Sequence, residues 1–298
     1  MNYSQTLKVA IVTGVSGLIG YEVAQNLLKN TDFKVIGVAR TNPEIKHERF
    51  HFLEIDFEEL NWIEFLPHKA DYIFHLAQSY DYRDFPDKSQ SIFTINTDST
   101  LKLLNYGIKA GIEKFTYISS GGVAKPSEKL IEAKSEIETG PHLNFYLRTK
   151  FISEILVKTY QEFFKILICR PFFVYGKRQQ ANLLFPRLAK SIKEGNKITI
   201  QGKNGITINP IYVADAAEAI VKLFKNDNIE LANVGGTVQI SLSELVNKIS
   251  TTIKGKPILE WQNSVDSKFV ADIDLMNKEL GTAYQFTSIN EGLKLSFE

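Results

Sequence analysis

Six short runs of almost uninterrupted apolar residues recur through the first 170 positions of this 298-residue chain: KVAIVTG, FKVIGVA, FHFLEI, DYIFHLA, KFTYISS and KILICRP. Helical periodicity fills the stretches 18–29, 90–110 and 143–164 between them. A strand that is apolar on both sides belongs in a sheet covered by helices on both faces, and strand–helix alternation joins such strands in parallel. The expected fold class is α/β, a doubly wound parallel sheet with a smaller C-terminal α/β lobe.

Past residue 175 the pattern changes, with a helix expected near 183–194, a short strand at KITI, a helix after Asp215 and another near 241–253. This divides the chain into a sheet domain, 1–175, and a lobe, 176–298, from which the last sheet strands can come. Without repeats, low-complexity tracts or a long linker, the two parts are expected to be intimately joined.

The bulk numbers exclude several classes. A formal net charge of +1 offers no field to hold nucleic acid or an anionic membrane, so neither is expected as a partner. The lone cysteine, Cys169, cannot form an internal disulfide, and its run FKILICRP reads as a buried strand. His47, His51, His68, His75 and His142 show no metal-ligand spacing, so no metal is expected, and His75 at the end of an apolar run reads as a packed, hydrogen-bonded core residue. The start MNYSQTLKVAIVTG lacks a basic segment followed by a long apolar stretch, and no window is uniformly apolar over about 18 residues; a cytoplasmic location is expected.

Within VTGVSGLIG, Gly14, Gly17 and Gly20 follow the first strand and open a helix. Glycines there close the turn and admit a pyrophosphate to the positive end of the helix. This predicts a dinucleotide-binding (Rossmann) domain. The second strand ends in Ala39–Arg40 with no acidic residue, and a guanidinium at that place accommodates a ribose 2′-phosphate; NADP(H) is therefore expected over NAD(H). Asp56, past the third strand, can accept from an adenine amino group or cap the next helix.

The fifth strand delivers Ser119 and Ser120 to the carboxyl edge of the sheet, with Gly121 and Gly122 after them to allow a ligand close approach. In NFYLRTKF, Tyr146 and Lys150 stand four apart and so share a helix face.

TGVSGLIG, DYIFHLAQ, Asn96 in FTINTDSTLKLL, Ser120, YLRTK, RPFFVYG and NPIYVADAAEAI occur in an order and spacing that resembles the extended short-chain dehydrogenase/reductase family, whose members include nucleotide-sugar epimerases, dehydratases and ketoreductases. The resemblance spans essentially the whole chain. It implies that Tyr146 is the acid/base, Lys150 its electrostatic partner and ribose ligand, and Ser120 the group that polarises the substrate oxygen, with Asn96 holding Lys150 through water. It implies cofactor contacts from the glycine turn with Leu18 and Ile19, from Arg40, Asp56 and Phe57, from Leu76, Ala77 and Gln78, and from Asn96, Ser119, Pro171 and Phe173. Substrate contacts would come from Gln78, Tyr80, Ser120, Gly121, Phe173, Asn182 and Gln201. Tyr80 and Tyr82 serve equally well as pocket walls or as loop aromatics over the sheet edge. SEILVKTYQEFF carries an amphipathic face suited to a homodimer contact or to core packing.

Four positions depart from the family pattern. Gly121 and Gly122 stand where dehydratases carry an acidic pair, Phe173 where nucleotide-sugar enzymes carry an asparagine, and Ile208 where an arginine often clamps a diphosphate. Arg178, Arg187 or Lys190 would have to supply that charge. The expectation is an NADP(H)-dependent 4-ketoreductase acting on a nucleotide-linked sugar, the alternative an NAD-dependent 4-epimerase, and the outsider a non-catalytic dinucleotide sensor.

Overall fold

A computed structural model describes residues 7–298; residues 1–6, part of the N-terminal stretch considered above for a leader, lie outside it. All six apolar runs form strands of one parallel sheet: β1 (Val9–Thr13), β2 (Lys34–Ala39), β3 (Phe50–Glu54), β4 (Tyr72–His75), β5 (Lys114–Ile118) and β6 (Lys165–Pro171). The crossovers carry α1 (Leu18–Asn30), α2 (Ser89–Phe93), α3 (Ser99–Ala110) and α4 (Phe145–Thr159). The stretch 90–110, expected as one helix, is interrupted by a π-turn at Thr94–Asp98. The hydroxyls of Ser99 and Thr100 take the Ile95 and Asn96 carbonyls there, at 2.6 and 2.8 Å.

The remaining chain forms β7 (Val174–Tyr175), α5 (Leu184–Glu194), β8 (Lys197–Gln201), β9 (Thr207–Ile208), β10 (Ile211–Tyr212), α6 (Val213–Lys225), β11 (Leu231–Val234), β12 (Ile240–Ser241), α7 (Leu242–Ile253), β13 (Ile258–Gln262), β14 (Lys268–Phe269), α8 (Asp274–Leu280) and α9 (Ile289–Phe297). β11 returns to the main sheet as its seventh strand, giving the order β11-β6-β5-β4-β1-β2-β3.

Alternating residues on each strand enter two different cores, as the pleat requires. Ala10, Val12, Leu167 and Cys169 face α1 and α6, packing with Val23, Leu27, Ala216 and Ile220. Ile11, Ile73, Ile166 and Ile168 face the other way, against Leu103 and Leu104 of α3 and Val157 of α4. Each fully buried aliphatic side chain contributes roughly 1.5–3 kcal/mol relative to exposure, which is why both faces of the strands are apolar. A third core, around Tyr175, Phe185, Ile200, Ile208, Leu245 and Leu293, builds the C-terminal lobe. No helix among the described residues is long and apolar enough to cross a membrane.

Candidate active site

Strand order reverses between β1 and β4, so the crossovers leave them on opposite sides and open a crevice at their carboxyl ends. His75 locks that point. Thr13 Oγ1 lies 2.7 Å from His75 Nδ1 and accepts from the Leu76 and Ala77 amides, while His75 Nε2 lies 3.0 Å from Thr100 Oγ1. Because the Thr100 hydroxyl donates to the Asn96 carbonyl, His75 Nε2 is the protonated nitrogen and Nδ1 the acceptor. Burial first and the nearby Lys150 second lower this imidazole to about 3, so it is neutral and structural.

The turn after β1 is made by glycines for two reasons. Gly14 has φ +68, and a Cβ on it would come within 2.8 Å of the Ala77 amide nitrogen; a Cβ on Gly20 would lie 2.2 Å from the Gly14 carbonyl oxygen. The helix start thus packs backbone against backbone. Gly17 is the N-cap of α1, with neither a side-chain cap nor an acidic residue in the first turn. The amides of Leu18 and Ile19 therefore keep their hydrogen-bonding capacity at the positive end of the helix, bordering the cavity.

That cavity measures about 340 Å³. Arg40, Asp56 and Phe57 wall one end, Leu76, Ala77 and Gln78 the floor, and Ser119, Ser120, Tyr146 and Pro171 the other end. Asp56 accepts from the Glu58 amide at 3.0 Å, closing a turn rather than capping an α-helix, and still borders the cavity. Arg40 and Tyr80 are paired across it, the guanidinium 5.6 Å from the ring centroid. Tyr80 lines the cavity, whereas Tyr82 lies outside its lining and packs on Tyr146 with ring centroids 4.8 Å apart.

The three residues expected to do chemistry come together. Asn144 caps α4 by accepting from the Leu147 amide at 2.9 Å, which sets Tyr146 in the first turn and Lys150 one turn later. The Tyr146 phenol donates to Gln78 Oε1 at 3.0 Å. Burial raises this phenol well above its ordinary range, Tyr82 adds to the rise, and the Ser120 hydroxyl opposes it. Ser120 itself accepts from the Gly122 amide at 3.1 Å, which aims its hydroxyl. Lys150 is buried, donates to the Ile118 carbonyl at 2.6 Å, and lies 4.7 Å from the Tyr117 ring centroid. Burial lowers its ammonium to about 7 against the opposing pull of Glu154. Lys150 is not among the groups that move the Tyr146 phenol. Its ammonium is hydrogen-bonded to the carbonyl at the end of the fifth strand.

Several expected site residues lie elsewhere. Asn96 is buried behind the cavity, accepting from the Ser79 amide at 2.8 Å and donating to Thr149 Oγ1 at 3.0 Å; its side chain positions backbone. Gly121 is buried too: a Cβ there would meet the Phe172 ring at 2.4 Å, and one on Gly122 would meet Leu147 at 2.8 Å, so these glycines make room for side chains and not for a ligand. Phe173 adopts φ +48, a turn that sends its ring onto Phe269 in the C-terminal lobe instead of into the cavity. Ile208 is fully buried in the lobe core. Gln201 is exposed on β8 opposite Gln262 of β13, and Asn182 is exposed and contributes only its carbonyl, to Arg83 at 2.8 Å. Of the three cations considered, Arg178 lines the cavity, 3.8 Å over the Tyr21 ring, while Arg187 and Lys190 are exposed on α5. Ser16, Thr41, Ile95, Gln180 and Leu183 also line the cavity and were not anticipated. Ser16 and Thr41 adjoin motif residues and were readable by adjacency; Gln180 and Leu183 sit in a loop with no local signature.

The family model described as the NAD dependent epimerase/dehydratase family matches residues 10–235. The chain belongs to that family. Among curated relatives, UDP-glucuronate 4-epimerase of Thermodesulfobacterium geofontis is 28% identical over 95% of this chain and 93% of its own, and dTDP-D-glucose 4,6-dehydratase of Mus musculus is 26% identical over 83% of this chain and 73% of its own. Among solved structures, UDP-glucuronic acid 4-epimerase from Bacillus cereus, in complex with UDP-glucuronic acid and NAD, superposes with a TM-score of 0.81 at 26% identity, covering 97% of this chain and 98% of that one. The protein is thus an enzyme of the epimerase/dehydratase branch, and these family members favour the epimerase alternative over the expected ketoreductase. The solved relative holds NAD, and nothing in these similarities supports the expected preference for NADP(H).

Proposed function

We propose that the chain is an NAD-dependent nucleotide-sugar 4-epimerase. The observation that carries this reading is that Ser120 and Tyr146 line one end of a cavity whose side wall is the uncapped N-terminus of α1, with Lys150 buried next to that end on the Ile118 carbonyl. A dinucleotide fits the intervening wall. The Ser119 hydroxyl oxygen is buried beside the cavity with no hydrogen-bond partner, and the α1 amides await an anion.

A dinucleotide held by the α1 amides and the cavity wall would supply the hydride acceptor and donor for a carbinol carbon. The protein handles the proton. Tyr146 removes the proton of the sugar hydroxyl and later restores it, and Ser120 donates to that same oxygen as charge grows on it. Lys150, held by the Ile118 carbonyl, places a cation at the strand edge beneath the site. Burial makes ionisation of this phenol costly, and the Ser120 hydroxyl works against that cost.

Elimination of water is disfavoured by shape. Carboxylates at 121 and 122, where dehydratases carry an acidic pair, would collide with Phe172 and Leu147. Exposed Leu101 and Ile108 on α3 with Ile152 and Ile155 on α4 support a homodimer through these helices, which light scattering of the purified protein tests.

The decisive experiment supplies NAD and candidate UDP-sugars, UDP-glucuronic acid and UDP-glucose first, and follows C4 configuration by proton NMR. Inversion at C4 without net nicotinamide turnover is expected. Stoichiometric consumption of NADPH with formation of a single alcohol would replace this reading by the reductase.

A further inference from the structure

One contact in the site belongs to no step described so far. The Tyr146 phenol donates to Gln78 Oε1 at 3.0 Å, and Gln78 borders the cavity immediately after β4. Its backbone is immobilised on both sides. The Leu76 and Ala77 amides donate to Thr13 Oγ1, each at 3.2 Å, and the Ser79 amide donates to Asn96 Oδ1 at 2.8 Å. Gly14 presses on Ala77 so closely that a Cβ there would lie 2.8 Å from the Ala77 nitrogen. Only the side chain of Gln78 is left to move, and it is exposed to the cavity.

We propose that Gln78 is a further catalytic residue, whose carboxamide accepts the Tyr146 proton contact at rest and, rotated about its last torsion, donates to the phenolate during turnover. The inference rests on the epimerase reading for its substrate and on the geometry alone for its chemistry.

A carboxamide offers both hydrogen-bonding senses from one side chain, and a half-turn about the terminal bond interchanges them. A hydrogen bond to an ion is roughly twice as strong as one between neutral groups, so a group able to make either one favours the phenolate on balance. Gln78, through its Oε1, and Ser120, through its hydroxyl, are the polar side chains that meet the phenol. In the proton transfer the sugar O–H bond breaks, the proton moves to Tyr146 Oη, and the Gln78 amide turns from donor back to acceptor as the phenol re-forms. The titratable groups facing Tyr146 are Tyr82 from the segment after β4, Tyr117 from β5 and Lys150 from its own helix, and the variants below leave all three in place.

The test labels tyrosine with carbon-13 at Cζ and titrates the NAD-saturated protein by NMR, with Tyr146→Phe identifying the resonance. Gln78→Met keeps length and removes both polar atoms; Gln78→Glu keeps an acceptor and removes the donor. The Tyr146 midpoint is expected about one pH unit higher in Gln78→Met than in the wild type, and higher again in Gln78→Glu, corresponding to about a tenfold loss of phenolate at fixed pH. The acid limb of kcat/KM shifts upward in step. Coincident curves for wild type and Gln78→Met, including both remaining neutral throughout, would overturn the assignment. Absence of turnover on every nucleotide sugar defeats the epimerase reading alone, because the NMR titration still decides the role of Gln78.

Discussion

Arg170 grips both carboxylate oxygens of Glu154, Nε to Oε1 at 2.9 Å and Nη2 to Oε2 at 2.6 Å, with both residues buried. Glu154 lies one turn beyond Lys150 on α4, Arg170 stands in β6, and the remaining guanidinium nitrogen Nη1 donates to the Ala133 carbonyl at 2.8 Å. The fork therefore ties the helix that carries Tyr146 and Lys150 to the sheet and to the segment after Ser120. Changing Arg170 to Met strands a buried carboxylate and is expected to cost about 3–5 kcal/mol in urea unfolding. The double variant Arg170→Met, Glu154→Leu should recover most of that loss, and equal losses in single and double variants would count against the pairing.

Tyr146→Phe removes the proposed proton carrier while keeping the ring that packs beside Tyr82. Turnover is expected to fall by about a hundredfold or more, with NAD binding measured by fluorescence unchanged. A non-catalytic dinucleotide sensor would retain its response in this variant.

His75 predicts how stability depends on pH. Its folded value of about 3 lies below the ordinary 6.5, so between these limits the unfolded chain binds more protons than the folded one. Stability is unaffected by this group above pH 6.5 and declines as pH falls through the window, at a slope of up to about 1.4 kcal/mol per pH unit. Denaturant unfolding from pH 7 to 4 should show a shallower decline for His75→Gln than for the wild type; parallel curves would show that the imidazole becomes protonated in place.

Gly20→Ala forces a methyl group to within 2.2 Å of the Gly14 carbonyl oxygen, a backbone atom that cannot rotate away. Separation of α1 from the turn should cost about 1–3 kcal/mol and lower NAD affinity, read by thermal shift with and without NAD. Gly111→Ala is the control: its φ of +73 strains an alanine, but a Cβ there meets nothing and the site is remote, so stability falls with NAD affinity intact.

Much of the sheet and of the site was legible from local pattern. The six apolar runs became six strands, and the glycine turn, Ser120 and Tyr146 line one crevice, with Lys150 buried on the Ile118 carbonyl. These succeed because periodicity, a glycine-rich strand-to-helix turn and a four-residue helical spacing are properties of neighbouring residues. The seventh strand, LANV, was missed: its run is too short and too mixed to stand apart from the helices around it. Lys114 shows the same limit, a strand-flanking cation by sequence that is buried and donates to the Phe224 and Asn226 carbonyls at 2.6 and 3.0 Å.

Periodicity and motif order by themselves determined the class of fold and the glycine turn at the sheet's carboxyl edge, and nominated Ser120, Tyr146 and Lys150 as candidates. Tertiary structure alone decided what surrounds each of them: that Phe173 and Ile208 belong to the lobe core, that Gly121 and Gly122 yield space to Phe172 and Leu147, and that Gln78, 68 positions from Tyr146, holds its phenol. The physical reason is range. Backbone preference and side-chain period act over a few residues, whereas burial, hydrogen-bond partnership and proton affinity are set by groups that meet only when distant segments pack.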